Sequence, residues 1–214
     1  MRGLSWFRLV LLLGAGLFVP ESVLARPGHG GSIAAARREP LGATVSVIGT
    51  VTVPTGAFDD GIALQQNDAG IYVLDSLGES FATGAELEIT GVLVDSSGLL
   101  AIQPSSITRR GRGQRIEPEC RATGAVGERT EGQLLRLSGT MRGPLVDDSP
   151  YGFKLDIDDG SGEVQVFLYP GTGISTAGLV DGRRLSVVCF SNQYEAEYEC
   201  DPRSPADLKL GDNR

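Results

Sequence analysis

Histidine is almost missing from this chain of 214 residues: the only one is His29. Hydrolytic sites commonly draw a general base from histidine. A single one, in a stretch rich in Gly and Arg, leaves no Ser-His-Asp or Cys-His constellation. It also leaves too few ligands for a zinc site of His and Cys. The expectation is a non-catalytic protein with no cofactor and no metal. Aromatic residues are scarce at 6%, against 30 glycines, a balance that suits a turn-rich β protein better than a helical one. Cysteine is limited to Cys120, Cys189 and Cys200. Positive charge is in deficit, with 19 Lys and Arg against 27 Asp and Glu.

Long apolar runs are absent after the start of the chain, so no later segment reaches the roughly 18 residues of a membrane span. The start itself reads as an export signal. Arg2 and Arg8 precede the apolar run Leu9 to Val19, and Val23-Leu24-Ala25 supplies a small-residue exit. The expected signal peptide is residues 1–25, and the expected location is periplasmic or secreted. Its removal takes two basic residues and one acidic residue, Glu21, and leaves a net charge of −9. An exported chain meets oxidising conditions, so one disulfide is expected, with one thiol left over.

Residues 26–40, with Pro27 and Pro40, read as a disordered leader. Strands then begin. Val45, Val47, Gly49, Val51 and Val53 alternate with Ser46, Ile48, Thr50 and Thr52, the period of a half-buried strand. Ile62 to Gln66 and Ile71 to Leu74 flank a turn at Asn67 to Gly70. Ser76 to Gly84 is a loop with room for one helical turn. Leu87 to Val94 and Leu99 to Ile107 form a hairpin around Asp95 to Gly98. The order then recurs: Leu135 to Thr140, a hairpin of Phe153 to Ile157 with Val164 to Leu168, a loop over Gly173 to Gly182, and a closing hairpin of Leu185 to Phe190 with Tyr194 to Cys200. Gly84 and Gly182, Leu87 and Leu185, Ile89 and Val187, and Pro104 and Pro202 share one spacing. Long-period self-similarity of this kind marks two copies of one supersecondary unit.

Five short strands, broken after the third, are the pattern of a five-stranded, partly open OB barrel; a β-sandwich would need more strands per unit. The expected architecture is all-β, two tandem five-stranded OB-fold-like barrels after a signal peptide. The first spans 41–108 and the second 131–210, with a basic linker over 109–130. The glycines Gly49 and Gly139 would let a first strand bend around a barrel corner.

The stretches Val45-Ser46-Val47-Ile48-Gly49-Thr50-Val51-Thr52, Gly70-Ile71-Tyr72-Val73, Gly84-Ala85-Glu86-Leu87-Glu88-Ile89-Thr90-Gly91, Asp158-Asp159-Gly160-Ser161-Gly162-Glu163 and Pro202-Arg203-Ser204-Pro205-Ala206-Asp207-Leu208 resemble the secreted bacterial OB-fold proteins. They also resemble the OB modules attached to bacterial extracellular nucleases. The resemblance implies binding of single-stranded nucleic acid. The alternative is an exported module that binds protein or glycan, which the acidic balance favours, since a chain of net negative charge repels DNA at long range.

OB barrels bind on the face of their second and third strands. The alternation points Arg136, Lys154, Phe167 and Tyr169 outward in the second unit, where they could line one groove. Phe167 and Tyr169 could instead pack one unit on the other. In the first unit the outward set includes Tyr72. Arg109, Arg110, Arg112 and Arg115 form the strongest basic cluster, either a phosphate clamp or a solvated linker. Asp156, Asp158, Asp159 and Glu163 approach a Ca²⁺ loop, but Gly160 and Ser161 break its pattern, and a hairpin turn accounts for them. Cys189 and Cys200 map by the repeat onto Gly91 and Ile102, equidistant from the centre of the first closing hairpin. They are expected directly opposite each other and within disulfide reach, the alternative being two buried thiols.

Overall fold

The computed structural model describes residues 31–58 and 61–211. The expected signal peptide, His29 and residues 26–30 of the expected leader lie outside them. The described chain is two OB-fold-like β units of the same topology.

The first unit contains β1 (Thr44–Val53), β2 (Ile62–Gln66), β3 (Ala69–Val73), β4 (Ala85–Ser96) and β5 (Leu99–Arg112). They close into a barrel in the order β1-β2-β3-β5-β4. All contacts are antiparallel except β3 with β5, where Tyr72 lies opposite Ala101 in parallel. The alternation read from the sequence is the barrel's inside and outside: Val45, Val47, Leu87, Ile89 and Leu93 point into one apolar cluster. Pro104 is accommodated inside β5 because the ladder shifts there, Thr90 facing Ser106 and Gly91 facing Pro104. A proline has no N–H to give a ladder and is tolerated at such a bulge.

Residues 31–40 are not the disordered segment expected. Ile33–Ala36 forms a single helical turn, α1, capped by Ser32, whose Oγ accepts from Ala35 N at 3.1 Å. Ile33 is fully buried and joins the barrel core. Apolar content decided the outcome: Ile33 and Ala36 find a cluster to bury in, and burial offsets the cost of ordering the chain. Gly49 makes the room, since a Cβ there would sit 2.9 Å from the Ile33 side chain. The loop over 76–84 has no helical turn. Phe81 fills its place, 2% exposed, with its N–H donating to Thr55 Oγ1 at 3.0 Å.

The second unit contains β6 (Glu119–Cys120), β7 (Leu134–Asp148), β8 (Gly152–Asp158), β9 (Glu163–Leu168), β10 (Arg184–Tyr194), β11 (Glu197–Asp201) and β12 (Leu208–Leu210). β7 pairs with β8, β8 with β9, β9 with β11 in parallel, β11 with β10, and β10 back with β7. That ring repeats the first barrel's order. β6 and β12 add to it on β7 and β10.

Cys189 and Cys200 are bonded, with Cα atoms 5.3 Å apart. Contrary to the expectation, they are not directly opposite each other. Cys200 faces Ser191, so the hairpin's centre lies one residue further along each strand pair than the repeat implied. The first hairpin is displaced the same way, Leu93 facing Ile102. A pairing shift of two residues keeps every side chain on its face. Both cysteines therefore still point into the barrel, as a diagonal pair.

The expected break after residue 108 falls inside β5, which continues to Arg112 because β4 continues beside it, Ala85 facing Arg112. Arg109, Arg110 and Arg112 are thus strand residues of the first unit and not linker residues.

The two units share a core. Val53, Phe58, Ala63 and Leu99 of the first pack with Phe190 of the second, and Tyr72 and Tyr169 close the cluster. The Phe58 and Tyr169 rings are 4.8 Å apart, and those of Tyr72 and Phe190 5.8 Å. Polar contacts fix the relative placement. Leu134 N donates to Gln65 Oε1 at 2.8 Å, and Gln133 Nε2 to the Asp68 carbonyl at 2.6 Å. Arg37 bonds Glu131 at 2.9 Å. At Gly70 and Gly132 the two backbones touch, and a Cβ built on Gly70 would land inside the Gly132 peptide.

Candidate nucleic-acid interface

β1 of the first unit and β10 of the second turn their outer faces toward each other and leave a cleft of about 530 Å³ between the units. Thr50, Thr52, Ser186 and Val188 line it together with residues 115–118 of the connection between the units. Its charges come from five separate places in the chain. Arg112 arrives at the end of β5, Arg115 on the connection, Arg136 on β7, Arg203 before the last turn, and Lys209 on β12. The acidic residues there are Glu117 and Asp207.

The partners of these cations differ. Arg203 is spent on structure: its Nε and Nη2 donate to Asp207 at 2.9 and 2.8 Å, and its Nη1 to the Thr52 carbonyl at 2.6 Å. Arg115 pairs with Glu117 at 2.5 Å, both exposed. Arg112, Arg136 and Lys209 have no ion-pair partner among the described residues. Arg136 is half-buried and lies in register between Val188 on β10 and Cys120 on β6. In a chain of formal net charge −8, three uncompensated cations in one groove make a local field of the sign that attracts polyanions.

The expected groove of Arg136, Lys154, Phe167 and Tyr169 does not exist as one site. β7 is long and serves two partners. Its first half pairs with β10, which takes Arg136 into the cleft, and its second half pairs with β8, where Lys154 faces Val146. Lys154, Phe167 and Tyr169 instead share a separate pocket with Asp148, Tyr151, Tyr194 and Glu199. Lys154 bonds Asp148 at 2.9 Å and lies 5.7 Å from the centre of the Phe167 ring. Phe167 is 7% exposed, with the Tyr169 ring edge-on at 4.6 Å. Tyr169 is also drawn into the shared core against Phe58, and Tyr72 sits in that core with its OH donating to the Phe58 carbonyl at 3.1 Å.

The rest of the arginine cluster divides. Arg109 donates to the Ser80 carbonyl at 2.7 Å, pairs with Glu79 at 3.4 Å and stacks 4.4 Å over Phe81. Arg110 pairs with Glu88. Only Arg112 and Arg115 reach the cleft. Lys209 carried no signal in the sequence, being an isolated cation near the end of the chain, and Arg203 stood there only within the fold-level stretch Pro202 to Leu208.

The acidic hairpin between β8 and β9 is consumed by its own turn. Asp158 Oδ1 accepts from Gly160 N at 2.7 Å. Asp159 Oδ1 accepts from Thr123 Oγ1 at 2.9 Å and from Ser161 Oγ at 2.5 Å. Those hydrogen bonds hold the Asp159 carboxyl down at about 2. Among the described residues, no group of three or more His, Cys, Asp or Glu side chains is placed to hold a metal.

Burial has the opposite effect elsewhere in the second unit. Desolvation pushes the Glu199 carboxyl up to about 7, against the opposing charge of Lys154 and with the help of Asp148 and Glu197. Asp201 is fully buried and held well above the usual carboxylate range by that burial and by Glu199. Its Oδ2 accepts from Asn192 Nδ2 at 2.8 Å.

No family model matches the chain, and no curated protein matches it. Solved structures give distant likenesses. A murine DNA-binding protein bound to double-stranded DNA superposes with a TM-score of 0.40 at 10% identity, over 79% of this chain and 97% of that one. The tetrameric p202 HIN2 domain gives 0.36 at 15% identity, over 80% and 93%. A replication protein A heterotrimer bound to single-stranded DNA gives 0.33 at 11% identity, over 82% and 50%. Scores this low carry no functional weight. The class of protein rests on the strand topology and the cleft: a tandem pair of OB-fold-like barrels, docked through a shared core, with a basic groove between them.

Proposed function

We propose that this is an exported, non-catalytic protein that binds single-stranded nucleic acid by its phosphate backbone, in the cleft between the two barrels. The observation that carries the reading is the set of Arg112, Arg136 and Lys209, uncompensated in a groove of an otherwise acidic chain. Phosphates are the polyanionic groups that such a row of cations tracks. Ser186, half-buried on the wall, is a short donor of the kind that positions a backbone without reading bases. Export is supported by the charged, apolar and small-residue pattern of residues 1–25.

Fluorescence anisotropy with a labelled single-stranded oligonucleotide tests the reading at low and moderate salt. Binding that weakens steeply with salt is expected. No binding even at low salt overturns it and returns the chain to the protein- or glycan-binding alternative.

A further inference from the structure

The pocket that collects Lys154 and Phe167 has its own chemistry, and no residue lines both it and the basic cleft. It holds about 500 Å³. Phe167 and Tyr169 form one part of the wall, from β9 and the residue after it. Tyr151, 70% exposed, stands on the turn between β7 and β8, and Tyr194, 56% exposed, at the tip of the β10–β11 hairpin. Exposed tyrosines on two separate turns are unusual in a chain with so few aromatics, and here they converge on one cavity. The charged lining is Asp148, Glu199 and Lys154, two carboxylates to one ammonium. Lys154 is already neutralised by Asp148. Glu199 is 5% exposed and has Gln165 Nε2 donating to its Oε1 at 3.0 Å, with no cation in an ion pair among the described residues.

We propose that this pocket is a second ligand site, for a compact organic cation such as a quaternary ammonium or a protonated alkylamine, enclosed by the tyrosine and phenylalanine rings and countered by Glu199. Aromatic faces attract cations through the ring quadrupole, most strongly where water is excluded. The molecule already displays the contact, since the Lys154 ammonium lies against the Phe167 ring. A phosphate-bearing ligand would meet two carboxylates in the same space, so the charge balance selects the cation. Glu199 adds a coupling. Burial holds its carboxyl up at about 7, and a bound cation would favour its ionised form, so the ligand binds more tightly as pH rises through neutrality.

The test uses choline and 3,3-dimethylbutan-1-ol, which has the same shape without the charge. ¹⁵N chemical-shift titration of the purified protein should show saturable shifts around Tyr151, Lys154 and Tyr194 with choline, and binding about tenfold weaker or more with the neutral alcohol. Tyr194→Ala and Tyr151→Ala each lie on an exposed turn and should keep the fold; each should weaken choline roughly two- to tenfold. Lys154→Gln removes a competing positive charge and should strengthen it. Equal binding of the alcohol, absence of saturable shifts, or weakening by Lys154→Gln would overturn the proposal. So would an oligonucleotide that displaces choline from these residues. Cleft variants that leave oligonucleotide binding unchanged, with choline binding intact, would count against the cleft alone.

Discussion

Replacing Arg136 by Gln should change how the complex responds to salt more than it changes the fold. Each phosphate neutralised on a single strand contributes about 0.7 to the slope of log affinity against log salt. Three uncompensated cations in the cleft, Arg112, Arg136 and Lys209, then set a slope of about −2. Between 50 and 200 mM salt the affinity should fall about twentyfold. With Arg136→Gln the slope becomes about −1.4, and the same salt interval costs about sevenfold. Arg136 is the informative position because it is half-buried in the cleft lining, on a strand paired on both sides. Arg109→Gln is the control: that side chain is spent on Glu79, Ser80 and Phe81 and should leave the slope unchanged. The assay is anisotropy with a labelled oligonucleotide across a salt series. An unchanged slope in Arg136→Gln, or an equal change in Arg109→Gln, would refute the assignment of the cleft.

Three further outcomes follow from the packing. Alkylation without reductant should label Cys120 alone, and loss of the Cys189–Cys200 bond, which spans 11 residues, should lower stability by roughly 2–3 kcal/mol in urea denaturation. Glu199 has a folded pKa raised from 4.5 to about 7. The stability it contributes is fully present below pH 4.5 and is lost as pH rises through about 7, on the order of 3 kcal/mol in all; urea midpoints of Glu199→Gln measured against pH should lack that loss. Arg37→Ala strands the buried Glu131 carboxylate, already raised by its burial, and should cost about 3 kcal/mol at neutral pH. Because Arg37 precedes the first strand and Glu131 belongs to the second unit, a loss near zero would mean that this contact does not hold the barrels together.

Alternation along each strand is a local property, and so the two barrels, their inner faces and the face of both cysteines were legible from the chain itself. An even shift in hairpin pairing left that information intact, which is why Cys189 and Cys200 meet despite a displaced register. The short helix of Ile33 was not legible. Its reason to form is the hole above Gly49, and that hole exists only once the barrel closes. The cleft is a stronger case. Arg112, Arg136 and Lys209 are far apart in sequence and share no motif. The docking of Phe190 against Phe58 and Leu99 brings their strands to one groove, and it also takes Tyr72 out of reach of a ligand face. Side-chain direction is set by neighbours in the chain, whereas the grouping of side chains from different strands is set by how two closed barrels pack, and no local pattern encodes that.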